Sequence, residues 1–378
     1  MPKIALITNH PPPFRIPIYD KLASMADVDL QVIFCSEREP NRQWELPPLR
    51  FNHVFLKEHF VARGSNFIHN NPDVIPALKR FAPDVIITTG FNPTYLYAFA
   101  YAVIKGIPHV PMTDGTDASE QSLSVWHKLI RRLVYSRSRA FIAASQGGQR
   151  LYESYGIPTE RCFRSCLCID NEAYWRTGTA EEKNHDLIFC GRIVSAKNPL
   201  FALEVSRRAA EMLGRKIRVL FVGNGEQKSL VQSEASRLTD FVEATFHGHA
   251  AQEDLPALYG SARIFLFPTM GDVWGVVANE ACAAGLPVIV SPHAGVAGEL
   301  VVDGENGFVR PLDVAQWTDC VVHLLRNEST YQRYARKSLV LASRYTFEGA
   351  ATGIVEACRH AAGGRHVAAL KQASGKAG

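Results

Sequence analysis

The sequence predicts an α/β protein that contains two doubly wound parallel sheets, and three observations predict this class. Its 378 residues exceed the usual length of a domain with a single hydrophobic core, so two domains are expected. Short apolar runs alternate with longer amphipathic stretches, which is typical of parallel strands joined by helices. This pattern occurs twice and lapses over residues 170–184, where we place the domain boundary.

The first half of the chain contains five predicted strands and two of the predicted helices. Each strand is a short run of mostly branched apolar residues, a composition that suits a strand buried on both faces. The strands are predicted at Ile4–Thr8, Leu30–Cys35, Val85–Thr88, His109–Met112 and Ala140–Ala144, and the helices at Ile16–Ala26 and Thr94–Ile104.

The second half repeats the scheme, so both halves are expected to form Rossmann-like domains. Its apolar runs are again short and separated by stretches with helical periodicity. The strands are predicted at Asp186–Cys190, Arg218–Val222, Val242–Phe246, Ile264–Phe267 and Val288–Ser291, and the helices at Leu200–Leu213, Lys228–Leu238 and Asp254–Tyr259.

A last helix is predicted at residues 346–362, after which no further strand begins. Residues 363–378 are mostly small or basic and have little apolar surface to bury, so we predict that they are disordered. The predicted domains are therefore residues 1–170 and 171–345, followed by this helix and tail.

The charge balance argues against a nucleic-acid partner. The chain has 41 basic and 37 acidic residues and a formal net charge of +4, so an anionic partner would have to meet a local patch. The first residues run directly into a strand without the apolar core of a signal peptide, and no apolar run reaches the length of a membrane span. We therefore expect a cytoplasmic protein.

The eight cysteines lie mostly in apolar stretches, as reduced core cysteines do, so no disulfide is expected. Cys162, Cys166 and Cys168 lie close together, but no Cys-x-x-Cys pair or closely spaced histidine accompanies them. Cys166 and Cys168 also alternate along a predicted strand. We therefore predict no metal site.

The most informative segment, residues 264–291, reads as strand, loop, helix and strand. Its glycines allow a tight turn and expose the amides of residues 273–276 at the helix start, which suits a diphosphate. Asp272 in the loop and Glu280 about one turn into the helix are expected to face one crevice and accept hydrogen bonds from sugar hydroxyls. The alternative is that Asp272 caps the helix and Glu280 lies on an exposed helix face.

Two cations follow the first strand of the second half. Gly191 allows a turn that brings Arg192 and Lys197 together, and this pair would neutralise a leaving diphosphate. The alternative is that both are solvated surface charges. Gly223 and Gly225 end the next strand, but a Gly-x-Gly without a third glycine is weak evidence for a dinucleotide site.

These motifs resemble the signature of the family-4 retaining glycosyltransferases. That signature places an acidic residue, seven intervening residues and a glutamate before a helix of small residues and a Gly-x-Pro-Val strand. Here Asp272 stands where the family usually has a glutamate, whereas Glu280 matches it. The Gly-Arg-x(4)-Lys-Asn string and the Val-Gly-x-Gly turn are also similar to the family. The resemblance covers essentially the whole chain before the tail and is most specific over residues 191–307.

The resemblance implies a GT-B fold, in which two Rossmann-like domains face each other across a cleft and a C-terminal helix crosses back to the first domain. It implies that a nucleoside-diphosphate sugar binds the second domain as co-substrate, with no further cofactor and no metal. The first domain is then expected to bind a glycan, lipid-linked or small-molecule acceptor. Retention by front-face displacement, in which the departing diphosphate helps to remove the acceptor proton, is the implied route.

The resemblance also assigns roles to single residues. Asp114 lies where many relatives have a histidine, and a turn-forming role is its alternative. His247 lies where the fold seats the nucleotide base, and a packing or solvated role is its alternative. The implied catalytic residues are Arg192, Lys197, Asp272, Glu280 and Asp114. The residues implied to bind the donor are Gly191, Gly223, Gly225, His247, Val273, Trp274, Gly275, Val276 and Glu280.

Two further features of the first half predict binding surfaces. A proline-rich loop after the first strand is expected to fix His10 and Arg15 for contact with acceptor or phosphate. Residues 126–139 have apolar residues at helical spacing beside several basic ones, a pattern typical of a helix on an anionic membrane. The alternative is an ordinary buried stripe, and membrane contact would place the protein at the inner membrane face.

Two other functions remain open at this point. A sugar-nucleotide epimerase of the same fold would share the diphosphate clamp but would need no separate acceptor site. A non-catalytic sugar-binding protein would bind ligand without releasing nucleotide.

Overall fold

The structure is a computed structural model that describes residues 2–38, 48–63, 66–121, 123–177 and 183–374. The chain splits into two compact units. Unit 1 comprises Met1–Leu167 together with Phe347–Gly378, and unit 2 comprises Cys168–Thr346. The chain therefore leaves unit 1 once, builds unit 2 as one continuous segment and then returns.

Unit 1 is built on a seven-stranded parallel sheet in the order β3-β2-β1-β6-β7-β8-β9. The strands are β1 (Lys3–Thr8), β2 (Asp29–Phe34), β3 (His53–Phe55), β4 (Phe60–Arg63), β5 (Asn66–His69), β6 (Val85–Thr88), β7 (His109–Thr113), β8 (Phe141–Ala143) and β9 (Cys162–Arg164). Strands β4 and β5 form a separate antiparallel hairpin. The central strands are apolar because helices cover both faces of such a sheet.

Within the described ranges, five α-helices precede unit 2. They are α1 (Ile16–Ala23), α2 (Val74–Phe81), α3 (Pro93–Lys105), α4 (Val125–Arg137) and α5 (Gln146–Ser154). Helix α2 shows how they attach, because Val74, Leu78 and Phe81 recur at helical spacing and pack with Ile33 and Ile86 of the sheet. Helices α1 and α3 each begin with a proline in the first turn, where its missing amide proton is not needed.

Unit 2 is built on a six-stranded parallel sheet in the order β12-β11-β10-β13-β14-β15. Its strands are β10 (His185–Cys190), β11 (Ile217–Val222), β12 (Val242–Gly248), β13 (Ala262–Phe267), β14 (Val288–Val290) and β15 (Gly307–Val309). Its helices are α6 (Asn171–Thr177), α7 (Pro199–Leu213), α8 (Lys228–Ser236), α9 (Leu255–Gly260), α10 (Val276–Ala283), α11 (Val314–Arg326) and α12 (Glu328–Ala342). Phe189, Phe221 and Trp317 are among the buried residues that join sheet and helices into one core.

The last helix, α13 (Phe347–Ser374), belongs to unit 1 and packs against α1 and β9. An ion pair of 2.5 Å between Lys21 and Glu348 links it to α1. The helix is described as far as Ser374, beyond the predicted helix end at residue 362, and the predicted disorder of residues 363–378 stays a prediction.

The predicted fold class is confirmed, because both sheets are parallel and every predicted strand corresponds to an observed one. Three details differ. The predicted boundary segment contains α6, whose Tyr174 is buried, although the surrounding polar residues gave no periodic signal. Strands β3 and β15 and the hairpin β4–β5 were not predicted. Cys166 and Cys168 lie beyond β9 and not on a strand, because pairing with β8 ends at Arg164.

All eight cysteines are free, and seven of them are buried. Across the described ranges, no group of three or more histidine, cysteine or acidic side chains is arranged to hold a metal ion. Within the same ranges, no helix is both long enough and apolar enough to cross a membrane.

The close packing of α13 on β9 gives a test of the fold. A Cβ at Gly353 would lie 1.7 Å from the carbonyl oxygen of Arg164, which is backbone and cannot move aside cheaply. We expect Gly353→Ala to lower the free energy of unfolding by roughly 1–3 kcal/mol or more.

The matched control is Gly363→Ala on the same helix, where a Cβ meets nothing within 4 Å. It should be neutral or stabilise by up to about 1 kcal/mol. Urea unfolding, with hydrogen exchange to assign the change to β9 and α13, measures both. Equal effects of the two substitutions would contradict this packing.

Candidate functional site

The candidate site of unit 2 lies where the order of its strands reverses. Strand β10 pairs with β11 on one side and with β13 on the other, so the chain builds the sheet outward in both directions from β10. Parallel strands end at the same edge of a sheet, and loops that leave neighbouring strands in opposite directions open a crevice there. The loop after β10 (residues 191–198) and the loop after β13 (residues 268–275) meet at this edge.

The loop after β10 rests directly on the end of β11. The amide of Ile193 donates to the carbonyl of Asn224 at 2.9 Å, and the amide of Gln227 donates to the carbonyl of Ile193 at 3.0 Å. A Cβ at Gly223 would lie 2.0 Å from the carbonyl oxygen of Gly191, and one at Gly225 would lie 2.2 Å from that of Ile193. The Gly-x-Gly turn thus allows the two backbones to touch.

An ion pair joins the two loops. Lys197 Nζ lies 2.5 Å from Asp272 Oδ2, and the two side chains are 16% and 23% exposed. The same ammonium donates to Thr269 Oγ1 at 3.4 Å and lies 5.5 Å from the centre of the Phe267 ring. A backbone bond of 2.9 Å from the Met270 amide to the Ala196 carbonyl holds the loops together beside it. Lys197 and Asp272, both predicted site residues, are therefore in direct contact.

The carboxylate of Asp272 is fully engaged within the protein. Its second oxygen, Oδ1, accepts a hydrogen bond of 3.1 Å from the amide of Trp274, which closes an Asx turn. Its amide donates to the carbonyl of His293 at 3.1 Å. Asp272 does not cap α10, because Gly275 occupies the N-cap position. Asp272 shapes the loop and sets the position of Lys197.

Helix α10 begins at the edge of this site without a side-chain cap. The first amides of a helix have no partner within it and carry a partial positive charge, so they favour an anion. Val273 is 40% exposed at this point, whereas Trp274 is 1% exposed and donates its indole Nε1 proton to Asn279 at 2.7 Å. The Trp274 side chain therefore anchors the loop, and its amide is already bonded to Asp272, so the first amides of α10 are the groups suited to an anion.

Glu280 is buried at 6% exposure, so it does not lie on an exposed helix face. Its Oε2 accepts a hydrogen bond of 2.9 Å from the hydroxyl of Tyr259. Burial raises the pKa of Glu280 to about 7, against the opposing effect of hydrogen bonds from Tyr259, Gln252 and Tyr174. Burial, and to a lesser extent the negative charge of Glu280, raises the pKa of Cys190 well above its ordinary value. Sequence reasoning gave these tyrosines no role, and apolar neighbours around Tyr259 were the only signal.

Arg192 and His247 lie apart from this ion pair. Arg192 is exposed at the start of the loop after β10, and among the described residues no contact joins it to Lys197. His247 is exposed on β12, which β11 separates from β10. The backbone of the Gly191 turn places Arg192 at the sheet edge, but the structure does not bring the two cations into contact.

Unit 1 contains the remaining candidate, Asp114, at the end of β7. Arg15 Nη2 lies 2.5 Å from Asp114 Oδ1, while Arg15 Nη1 donates to the carbonyl and the hydroxyl of Ser165 at 3.1 Å each. Arg15 is 2% exposed, and its contact with acceptor or phosphate stays a prediction. The Asp114 side chain is 41% exposed and remains accessible. His10, in the same loop, is half-buried.

Two family models match the chain and together cover most of it. The model described as Glycosyltransferase Family 4 matches residues 19–170. The model described as Glycosyl transferases group 1 matches residues 171–339, which include Lys197, Asp272 and Glu280. The chain belongs to the glycosyltransferase family that these two models describe.

Curated relatives agree with that assignment. The chain is similar to the sulfoquinovosyl transferase SQD2 of Arabidopsis thaliana, with 23% identity over 307 residues, 75% of this chain and 58% of that protein. It is also similar to the D-inositol 3-phosphate glycosyltransferase of Nocardia farcinica, with 30% identity over 178 residues, 44% of this chain and 39% of that protein. The chain spans about half the length of the curated relatives it matches.

Solved structures of glycosyltransferases share the fold. Anabaena HepE, in complex with UDP and glucose, matches with a TM-score of 0.70 and 17% identity over 94% of this chain and 99% of that one. The pneumococcal O-GlcNAc transferase GtfA, in complex with UDP and GlcNAc, matches with a TM-score of 0.68 and 11% identity over 95% and 99%. These similarities confirm the predicted GT-B fold.

The buried position of Glu280 predicts a pH dependence of stability. Burial raises its pKa from 4.5 to about 7, so between these values the folded state holds a proton that the unfolded state has released. The free energy of unfolding therefore falls as the pH rises through this window, by a total of roughly 3 kcal/mol. Glu280→Gln cannot ionise and should lose this dependence, so its stability relative to wild type should increase from about pH 5 to about pH 8.

Urea unfolding of both proteins at several pH values measures this difference. The control is Glu226→Gln in the same unit, because Glu226 is exposed. A wild-type minus variant difference that stays constant with pH would show that Glu280 is ionised throughout.

Proposed function

We propose that this protein transfers a sugar, with retention of anomeric configuration, from a nucleoside-diphosphate sugar to a hydroxyl of a glycan, lipid-linked or small-molecule acceptor. The observation that carries the proposal is the contact of Lys197 with Asp272 beside the start of α10, at the point where the strand order reverses. The complexes of HepE and GtfA with UDP support a nucleoside diphosphate as part of the donor.

The diphosphate is assigned to Lys197, Arg192 and the first amides of α10. An ammonium is a compact charge that approaches a phosphate oxygen directly, and the exposed guanidinium of Arg192 can form two parallel hydrogen bonds. These cations stabilise the negative charge that develops on the leaving diphosphate as the bond to the sugar breaks.

Lys197 must change partners when the donor binds. In this structure its ammonium is paired with Asp272. A diphosphate carries more charge than one carboxylate and would compete for the same ammonium. The released carboxylate of Asp272 could then accept hydrogen bonds from hydroxyls of the transferred sugar. Because aspartate is one methylene shorter than the usual glutamate, this contact requires the sugar to come close to the loop after β13.

Glu280 is assigned to the ribose hydroxyls of the donor. Its carboxylate is already oriented by Tyr259, and the buried setting makes each hydrogen bond to it electrostatically stronger. A ribose hydroxyl would donate to the ionised form. We therefore expect donor binding to favour the deprotonated state of Glu280.

The proposed chemistry is a front-face displacement. The acceptor oxygen forms a bond to the anomeric carbon on the face from which the diphosphate oxygen departs, and the proton of the acceptor hydroxyl passes to the departing diphosphate. Retention follows because bond formation and bond breaking share one face. Asp114 is the proposed acceptor-positioning carboxylate of unit 1, with Arg15 fixing its orientation.

The function is tested by screening nucleoside-diphosphate sugars for thermal stabilisation of the full chain and then for release of nucleoside diphosphate with candidate acceptors. The anomeric configuration of the product is read by NMR. Isomerisation of a sugar nucleotide without acceptor, or binding without release of nucleotide, would contradict the proposal.

We expect Lys197→Ala or Arg192→Ala to lower turnover by on the order of a hundredfold, because each removes a group that stabilises developing charge. The matched control is Lys216→Ala, an exposed lysine of the same unit. Wild-type turnover in both site variants, with normal donor affinity, would refute the diphosphate assignment.

We expect transfer to persist in a chelator, because the cationic side chains and the helix start neutralise the diphosphate. Turnover is measured with EDTA and after adding back Mg²⁺ or Mn²⁺. Complete loss in the chelator that either cation restores would assign charge neutralisation to a metal ion instead.

A further inference from the structure

Helix α4 exposes an apolar face to solvent. Four of its large apolar side chains are among the most exposed of the chain: Val125 at 71%, Trp126 at 76%, Leu129 at 45% and Leu133 at 60%. Single exposed apolar residues are common, but four on one short helix form a continuous patch that typically marks an interaction surface.

The opposite face of α4 already attaches the helix to unit 1. Val134 and Tyr135 are buried in a core cluster with Phe141 and Tyr152. Arg131 is also buried, with its guanidinium 2.7 Å from the carboxylate of Glu120 and 4.3 Å from the centre of the Phe91 ring. The exposed apolar face is therefore not needed to hold the helix in place.

The charges of α4 border the apolar face. At 3.6 residues per turn, Val125, Leu129, Leu133 and Trp126 fall within an arc of roughly 100°. Arg132 lies at one edge of that arc and Arg137 at the other, and both are exposed. Lys128 lies beyond Arg132, and the helix contains no acidic residue over Val125–Arg137.

We propose that α4 lies in the headgroup region of an anionic lipid bilayer, with its apolar face (Val125, Trp126, Leu129 and Leu133) turned to the acyl chains. Tryptophan favours this interfacial depth, and arginine side chains at the edges of the face can reach up to lipid phosphates. The helix has 13 residues, which gives a length of about 20 Å, so it lies along the surface and does not span the bilayer.

The charge pattern favours a lipid surface over a second copy of the chain. Two copies that joined through this face would bring Arg132 and Arg137 of each against a surface of the same sign, which disfavours association. An anionic bilayer offers both an apolar interior and negative charge at its rim. Binding to a bilayer requires neither donor nor acceptor. Its test is therefore independent of the test of the proposed transfer reaction.

The test is sedimentation of the full-length protein with vesicles of phosphatidylcholine alone and of phosphatidylcholine mixed with phosphatidylglycerol. Binding is expected only with phosphatidylglycerol, and added salt should weaken it. Arg132→Glu/Arg137→Glu should lower the affinity by at least roughly thirtyfold, since each lost cation accounts for about fivefold. Leu129→Ser should lower it by about tenfold.

Two matched controls keep the result specific. Lys79→Glu/Arg80→Glu changes the net charge equally at exposed positions of α2 in the same unit. Leu230→Ser removes a leucine that is 46% exposed on α8, against 45% for Leu129. Both controls should bind vesicles like wild type, and thermal unfolding should show that all variants fold.

Three outcomes would overturn the inference. These are no binding of wild type to phosphatidylglycerol vesicles, equal loss in the control and α4 variants, and a concentration-dependent dimer that Leu129→Ser abolishes. With a water-soluble acceptor, the rate at which sugar transfer releases nucleoside diphosphate should be unchanged in the α4 variants. This result would separate the α4 surface from the reaction site.

Discussion

The reversal of strand order around β10 is the constraint on which the site depends. Because β10 pairs with both β11 and β13, the loops that follow β10 and β13 are neighbours although about 75 residues separate them in the chain. The lysine of one loop and the aspartate of the other meet only for this reason. Glycines at the end of β11 add the second requirement, since any side chain there would push the loop after β10 off the sheet edge.

The Lys197–Asp272 pair stabilises this arrangement without locking it. Both side chains keep part of their surface in water, so each charge retains part of its hydration within the pair. A fully buried pair would hold the loops more firmly but would resist exchange with a ligand. Partial exposure therefore suits the exchange of partners that we propose for Lys197.

The sequence was informative where local chemistry decides the outcome. Apolar runs, glycines and cations at strand ends identified the parallel sheets, the loop after β10 and the loop after β13. It was uninformative where a partner comes from a distant element. The hydroxyl of Tyr259 on Glu280, and Ser165 with Asp114 around Arg15, arise from contacts between residues 21 to 150 positions apart. The periodicity of apolar residues along the sequence does not indicate contacts of this kind.

The sequence also did not show which side chains of a helix or loop are turned inward. The stripe of apolar residues on α4 predicts a buried helical face as readily as a lipid-facing one, and only the packing of Val134 and Tyr135 shows which residues are turned inward. Likewise, the sequence did not show that Arg15 is buried beside Ser165.

The return of the chain to unit 1 has a consequence for biosynthesis. Unit 2 is one uninterrupted segment, so its core can assemble on the ribosome as soon as Thr346 has emerged. Unit 1 cannot be completed at that stage, because α13 packs against β9 and has not yet been synthesised. Gly353 of α13 lies against Arg164, which is 189 positions earlier in the chain. The part of unit 1 that precedes unit 2 in the chain is therefore completed only after unit 2 has been translated, and until then the sheet lacks the helix that covers it at β9.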